Sequence, residues 1–134
     1  MIQPQQNKYL ENAVQTATPG QLLILLCDGA IRYSKKGIEA IKANQLQEAH
    51  QYIVRVQDII SEFVITLDQN APIAEHLYKL YDYFLFRLIE GNTKKTVEPI
   101  EEVLGYLIDL KATWMEANKL AVASQAAAKS TQHG

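Results

Sequence analysis

The sequence predicts an all-α fold, an antiparallel up-and-down four-helix bundle, on two observations. Apolar residues recur at alternating steps of three and four through four long segments, which is the spacing of one face of an α-helix. The glycines and prolines, six and four in 134 residues, fall mostly between those segments, where they divide one helix from the next. Because the connections are short, sequential helices should pack side by side and run antiparallel.

The first helix is predicted to begin at a capping box and to end near Ala43. Thr18 and Gln21 have the spacing at which side chain and backbone cap each other, and Pro19 stands at the first helical position, where no amide partner is lost. The predicted core stripe of this helix is Leu23, Leu26, Ala30, Tyr33, Gly37 and Ala40.

Three further helices are predicted from the same three-four spacing of apolar residues. The second is predicted from Leu46 to Leu67. The third ends near Gly91, and the fourth begins near Pro99, where acidic neighbours complement the positive end of the helix dipole. The predicted stripe of the third helix is Ile73, Leu77, Leu80, Phe84 and Leu88. That of the fourth helix is Ile100, Val103, Leu107, Leu110 and Trp114.

The chain is long enough for one domain, which we predict to span residues 1–134. Residues 18–120 should form the bundle. Residues 1–17 should form an N-terminal segment with a short amphipathic helical turn. Residues 121–134 are small and polar with nothing large to bury, so we expect a flexible tail.

Composition excludes several classes of partner and compartment. The formal charge of -2 lacks the basic surplus of a nucleic-acid-binding protein. The lone cysteine, Cys27, excludes an internal disulfide and is compatible with a reducing compartment, so we expect a cytoplasmic protein. The N-terminus does not have the pattern of a cleaved signal, and no stretch reaches the roughly 18 apolar residues that a membrane span needs.

The motifs of the common bundle enzymes are missing from the sequence. Di-iron bundles use Glu-x-x-His pairs one helical turn apart, and none of His50, His76 and His133 has a glutamate three residues before it. No glycine-rich phosphate loop occurs. Cys27 lies in an apolar run, which is typical of a small buried side chain. We therefore expect no enzyme activity, no metal and no cofactor.

Two of the helices carry more apolar residues than the three in seven, roughly, that a bundle core needs. On the first helix the additional residues are Leu22, Ile24, Leu25, Ile31, Ile38 and Ile41. On the third helix they are Tyr78, Tyr81, Tyr83, Leu85, Phe86 and Ile89. Three explanations stay open: a central position in the fold, a structural or adaptor bundle that homodimerises through this surface, or a groove that accepts a partner helix.

Several short motifs occur in a fixed order along the chain. They are Tyr9-x-x-Asn12-x-Val14-x-Thr16-Ala17-Thr18-Pro19-Gly20-Gln21-Leu22, Leu26-x-Asp28-Gly29-Ala30, Leu67-Asp68, Leu80-Tyr81-Asp82-Tyr83 with Arg87-Leu88-Ile89-Glu90-x-Asn92, and Leu110-Lys111-x-x-Trp114. Taken together, they resemble the flagellar secretion chaperones of the FliS type, over about residues 9–118.

This resemblance implies a cytosolic export chaperone that binds the disordered C-terminal segment of flagellin. Binding would prevent premature polymerisation and keep flagellin ready for export, and the export gate and other flagellar proteins are further candidate partners. The resemblance also implies that Tyr9 belongs to an N-terminal lid over the hydrophobic site. Leu22, Leu26, Tyr81 and Tyr83 match motif positions, so we expect them to line or support the partner-binding groove.

Three residues depart from the pattern of that family. Cys27 stands where tyrosine is frequent, Phe86 where a polar residue is frequent, and Gly91 where alanine is frequent. We expect Phe86 to add apolar area to the groove and Gly91 to end the third helix early.

Overall fold

The computed structural model describes residues 17–133, with side chains described as far as residue 128, and this part of the chain forms four α-helices. They are α1 (Pro19–Lys42), α2 (Leu46–Thr66), α3 (Ala74–Lys94) and α4 (Val97–His133). No strand occurs within these residues. The predicted all-α four-helix fold is therefore confirmed.

The four helices are arranged so that α1 and α3 lie diagonally across the bundle. Each of these two helices packs against both α2 and α4, and α1 does so more extensively than α3. Residues 43–45, 67–73 and 95–96 connect the helices. Connections this short place each helix beside the one before it and reverse the chain direction.

The core runs along the centre of the bundle and receives one buried stripe from each helix. Its fully buried large side chains include Phe63, Tyr81 and Phe84. The predicted stripe of α4 lies in the core, with Trp114 packed at its edge. In α2 the residues from Ala49 to Phe63 that were predicted to face inward are buried, whereas Leu46 at the first helical position is exposed.

The capping box at the start of α1 is confirmed. The amide of Gln21 donates to Oγ1 of Thr18 at 3.2 Å, and the amide of Thr18 donates to Oε1 of Gln21 at 3.0 Å. Pro19 is the first helical residue. Two of the amide groups that a helix start leaves without partners are thereby satisfied by the sequence next to them.

The predicted stripe of α1 was incomplete. Cys27, Ser34 and Ile38 are buried but were not included in it, and Leu23 and Leu26 pack only at the edge of the core. The buried face of α1 consists mostly of small residues. Small residues carry little hydrophobic signal, so the pattern of large apolar residues did not locate this face.

The predicted stripe of α3 is confirmed at Leu77, Phe84 and Leu88 and was wrong at Ile73 and Leu80. The helix begins at Ala74, and Ile73 is exposed before it. The buried residues of the observed stripe are Ala74, Leu77, Tyr81, Phe84, Leu88 and Gly91. Tyr81 is buried at the position expected for Leu80. Either residue satisfies the three-four alternation, so only packing against the neighbouring helices determines which of the two faces the core.

Gly91 does not end α3, contrary to expectation. The helix continues to Lys94 and closes on Lys95, which has a left-handed backbone with φ 54°. A Cβ atom at Gly91 would lie 2.6 Å from Cδ1 of Ile100 and 3.3 Å from Cβ of Pro99. The glycine is therefore a site of close approach between the end of α3 and the start of α4.

The last helix is longer than expected. We expected a flexible tail from Ala121, whereas α4 continues to His133 and residues 121–128 are exposed along it. Five of the residues in 121–128 are alanine, the residue with the highest helix propensity, which favours helix even without a buried face. Flexibility of this segment in solution stays a prediction.

Replacing the cap residue should destabilise the protein measurably. We expect Thr18→Ala to lower the free energy of unfolding by about 1 kcal/mol, because the amide of Gln21 loses its acceptor. Thr113→Ala is the matched control, since the Thr113 hydroxyl is exposed and donates only to a carbonyl of its own helix. Urea unfolding followed by circular dichroism measures both, and equal effects would contradict a specific capping role.

The close approach at Gly91 should produce coupling with Ile100. We expect Gly91→Ala to destabilise by about 1 kcal/mol, because overpacking outweighs the gain in helix propensity. Ile100→Val removes the Cδ1 atom that the new methyl group would meet. In a double-mutant cycle measured by urea unfolding, the pair should show a coupling of about 1 kcal/mol. Additive effects of the two substitutions would disprove the contact.

Candidate binding surface

A polar cluster joins the outer parts of α3 and α4. The hydroxyl of Tyr83 donates to Oε1 of Glu102 at 2.5 Å, and Nε of Arg87 donates to the same oxygen at 2.9 Å. Arg87 also pairs with Glu90 on its own helix. Tyr83 thus lies on the flank of α3 that faces α4, where its ring remains 41% exposed.

The hydrogen bonds of this cluster favour one ionisation state of each group. The bonds from Tyr83 and Arg87 hold the pKa of the Glu102 carboxyl below its usual value, and the bond to Glu102 raises the pKa of the Tyr83 phenol. Because the folded pKa of Glu102 is lowered, its contribution to stability is present at neutral pH and is lost as pH falls through that pKa. At neutral pH the cluster holds a charged carboxylate and a neutral phenol.

Tyr81 is a core residue and not a surface residue. Its ring is 1% exposed and lies 5.3 Å from that of Phe63 and 6.3 Å from that of Phe84, between ring centroids. Burial raises the pKa of Tyr81 to about 12, and burial together with the nearby Asp28 carboxylate raises the pKa of the Cys27 thiol to about 12. Both groups are therefore neutral, and Tyr81 supports the surface of α3 from beneath.

The two predicted site residues of α1 are half-buried. Leu26 packs against the core cluster, as does Leu23 beside it, and Cys27 lies within that cluster. Leu22 is also half-buried. None of the large apolar side chains of α1 is exposed. Of its additional apolar residues, Ile31, Ile38 and Ile41 lie in or against the core, whereas Leu22, Ile24 and Leu25 are half-buried outside it.

A group of exposed apolar residues lies on α3. We define the α3 strip as Tyr78, Leu85, Phe86 and Ile89. Tyr78, Phe86 and Ile89 are 44%, 63% and 53% exposed, and Leu85 is half-buried. Their spacing places Tyr78, Leu85 and Ile89 on the side of α3 away from Tyr83, whereas Phe86 points outward between the two sides. The sequence had singled out all four as additional to the core, and the structure shows that three of them are exposed.

A second set of exposed apolar residues on α4 was missed at the level of sequence. Its members are Tyr106, Ile108, Met115, Leu120 and Val122. All of them lie outside the predicted stripe of α4, so the count of apolar positions used for the first and third helices would have found them. Tyr106 packs over the buried ring of Phe84, with the two ring centroids 5.7 Å apart.

The structure does not gather the predicted site residues into one groove. Leu22 and Leu26 lie on α1, Tyr83 lies on the diagonally opposite helix, and Tyr81 is enclosed between them. Tyr9 lies outside the described residues, so its role as a lid stays a prediction.

A cleft of about 350 Å³ lies between the start of α1 and the C-terminal half of α4. Gly20, Leu23 and Trp114 line it, and Nε1 of Trp114 is buried without a hydrogen-bond partner in the described part of the chain. Among residues 17–133 no group of three or more His, Cys, Asp or Glu side chains could hold a metal ion. Over the same residues, no helix combines the length and apolar character of a membrane span.

Comparisons with known proteins agree with the resemblance seen in the motifs. The family model of the flagellar protein FliS matches residues 1–121. The flagellar secretion chaperone FliS of Bacillus subtilis is 31% identical over 116 residues, which cover 87% of each chain. That of Salmonella typhimurium is 30% identical over 114 residues, which cover 80% of this chain and 82% of the relative.

A third relative, the flagellar secretion chaperone FliSB of Pseudomonas aeruginosa, is 29% identical over 107 residues, which cover 78% of this chain and 85% of the relative. The similarity thus extends over most of each protein and is not confined to one motif. The chain belongs to the FliS family of flagellar secretion chaperones.

Proposed function

We propose that this protein is a cytosolic flagellar export chaperone that binds the C-terminal segment of flagellin. Binding would prevent premature polymerisation and keep the subunit ready for export. Membership of a family of chaperones, which are not enzymes, supports the general role. The partner segment and the compartment are inferred from that family resemblance and from the chemistry of the surface.

The observation that carries the proposal is the α3 strip. Large apolar side chains exposed side by side on one helix are costly in water, and covering one of them contributes about 1.5–3 kcal/mol. From Tyr78 to Ile89 the strip extends over eleven helical steps, or about 17 Å. That length matches about three turns of a partner helix with anchors at positions i, i+3 or i+4, and i+7.

The polar surroundings of the strip restrict the partner further. Asp82 is exposed and lies between Tyr78 and Phe86 along the outer face of α3. A bound helix would therefore present apolar anchors to the strip and a basic or hydrogen-bonding side chain to Asp82. A segment that is disordered when free would fold on this surface and would lose conformational entropy as it does so.

Calorimetry with the flagellin segment tests the proposal. A peptide of about 40 residues from the C-terminus of the flagellin of the same organism should bind with a negative heat-capacity change and a gain of helicity. Phe86→Asp should weaken binding about tenfold or more, because the residue lies at the centre of the strip. Ile65→Asp is the control, since Ile65 is 73% exposed and lies on the outward side of α2.

Two results would oppose the proposal. If the peptide does not bind, the flagellin assignment fails. If Phe86→Asp and Ile65→Asp weaken binding equally, the α3 strip is not the binding surface. Sedimentation of the free protein tests the competing hypothesis of a homodimer. That hypothesis requires a dimer that is tight at nanomolar concentration and that dissociates in the Phe86→Asp variant.

The N-terminal lid is a separate part of the proposal. Deletion of residues 1–15 should increase the fluorescence of a hydrophobic dye and leave flagellin affinity unchanged or stronger, because a covering segment competes with the partner for apolar surface. Tyr9→Ser in the full chain should give a smaller increase of the same sign. Unchanged dye fluorescence in the truncated protein would show that no lid exists.

A further inference from the structure

A cluster of aromatic and basic side chains lies on the seam between α1 and α2. The rings of Tyr33 and Tyr52 stack across the seam with centroids 6.3 Å apart. The guanidinium groups of Arg32 and Arg55 lie 5.7 and 5.6 Å from the centroid of the Tyr33 ring, and the ammonium of Lys36 lies 5.7 Å from that of Tyr52. We call these five residues the basic-aromatic cluster.

The three cations of the cluster are not neutralised by carboxylates in the described part of the chain. By contrast, Arg87 pairs with Glu102 and Glu90, and Lys111 pairs with Asp28. Arg32, Lys36 and Arg55 are all exposed, and their only described interactions are with the tyrosine rings. Glu39 and Asp58, exposed and three residues from Lys36 and Arg55, form no described ion pair with them, so the cluster keeps a local positive charge in a chain with a net charge of -2.

A cation–π contact at this distance leaves the hydrogen-bonding capacity of a guanidinium free. The five N–H donors point outward in the plane of the group, in the fork geometry that matches a carboxylate. The ring also limits the rotamers of the side chain, so less entropy is lost when an anion binds. Arg32 and Arg55 are thus held in place as carboxylate receptors, with Lys36 beside them as a third charge.

Acidic residues limit the cluster at both ends. Glu48, Arg55 and Glu62 recur at seven-residue intervals and therefore lie on the same side of α2. The distance from Glu48 to Glu62 along the helix is about 21 Å. The positive surface is therefore short, and a long polyanion would meet negative charge beyond each end of it.

We propose that the basic-aromatic cluster binds a short acidic segment of a second protein partner, at a surface separate from the α3 strip. Two or three carboxylates of that segment pair with Arg32, Arg55 and Lys36, and an apolar or aromatic side chain covers the tyrosine stack. Because the cluster and the α3 strip share no residue, this partner and a helix on the α3 strip can bind at the same time. The proposal does not depend on the identity of the α3 partner.

A nucleic acid fits this surface less well than an acidic peptide. Duplex DNA carries one negative charge per roughly 1.7 Å of its axis, so a duplex that covers the cluster would also pass Glu48 and Glu62. A peptide can place carboxylates opposite the cluster and neutral or basic residues opposite the two glutamates. The alternation of charge along α2 therefore favours a protein segment.

Fluorescence anisotropy with a defined probe tests the proposal. The probe is a labelled peptide of about 12 residues, which spans about 18 Å as a helix, with glutamate at every third or fourth position. We expect it to bind the full-length protein, and we expect the same peptide with glutamine in place of glutamate not to bind. Raising the salt from about 50 to about 300 mM should weaken binding severalfold.

Variants separate the cluster from the general charge of the protein. Arg55→Glu should weaken binding of the probe about tenfold, and Arg55→Gln about fivefold, because each removes a preorganised charge partner. Lys119→Glu on α4 makes the same change of net charge at an exposed position and should change affinity by less than about twofold. Circular dichroism shows whether each variant keeps its helical content.

The outcomes decide between the alternatives. No binding of the glutamate probe at millimolar concentration overturns the proposal, and so does equal weakening by Arg55→Glu and Lys119→Glu. Tighter binding of a DNA duplex of the same length than of the probe assigns the cluster to nucleic acid instead. Flagellin affinity measured on the Arg55→Glu variant should stay unchanged, so failure here is distinguishable from failure of the proposed chaperone function.

Discussion

Small residues on the buried face of α1 allow the neighbouring helices to approach it closely. A Cβ atom at Gly37 would lie 3.2 Å from Cγ1 of Ile53, and one at Gly29 would lie 3.3 Å from Cδ1 of Ile59, both on α2. At Gly20, outside the buried face, the equivalent atom would meet only the end of the flexible Asn118 side chain on α4, at 2.5 Å. Because interiors are packed to crystal-like density, side chains larger than Gly29 and Gly37 would push α1 and α2 apart. The close packing of α1 on α2 depends on this constraint.

The close packing of α1 determines which surfaces are left open. The large apolar side chains of α1 are partly covered because two helices press against it, whereas α3 packs less extensively and keeps three large apolar side chains of its strip exposed. The flank of α3 that faces α4 is instead polar, with Tyr83 and Arg87 on Glu102. The bundle thus presents an apolar surface on α3 and a basic-aromatic surface on the α1–α2 seam, which suit partners of different chemistry.

The three residues that depart from the family pattern have different structural roles in the folded protein. Cys27 is fully buried, so a change at this position acts through packing and not through contact with a partner. Phe86 is 63% exposed and enlarges the α3 strip. Gly91 accommodates Ile100, so these two positions are sterically linked. Of the three, only Phe86 lies where it contributes directly to a binding surface.

The sequence by itself determined the number of helices, the approximate bounds of α1 and α2, the cap at Thr18 and the family, because these depend on local spacing and on motifs contiguous in the chain. It also identified the additional apolar residues of α3. It did not determine that Tyr81 is buried and Leu80 lies at the edge, since either residue satisfies the three-four alternation between Leu77 and Phe84. Nor could it bring Tyr33, Tyr52 and Arg55 together across a seam, or show that Leu22 and Tyr83 lie on opposite helices. Those relations arise from distances between helices, and only the tertiary packing fixes them.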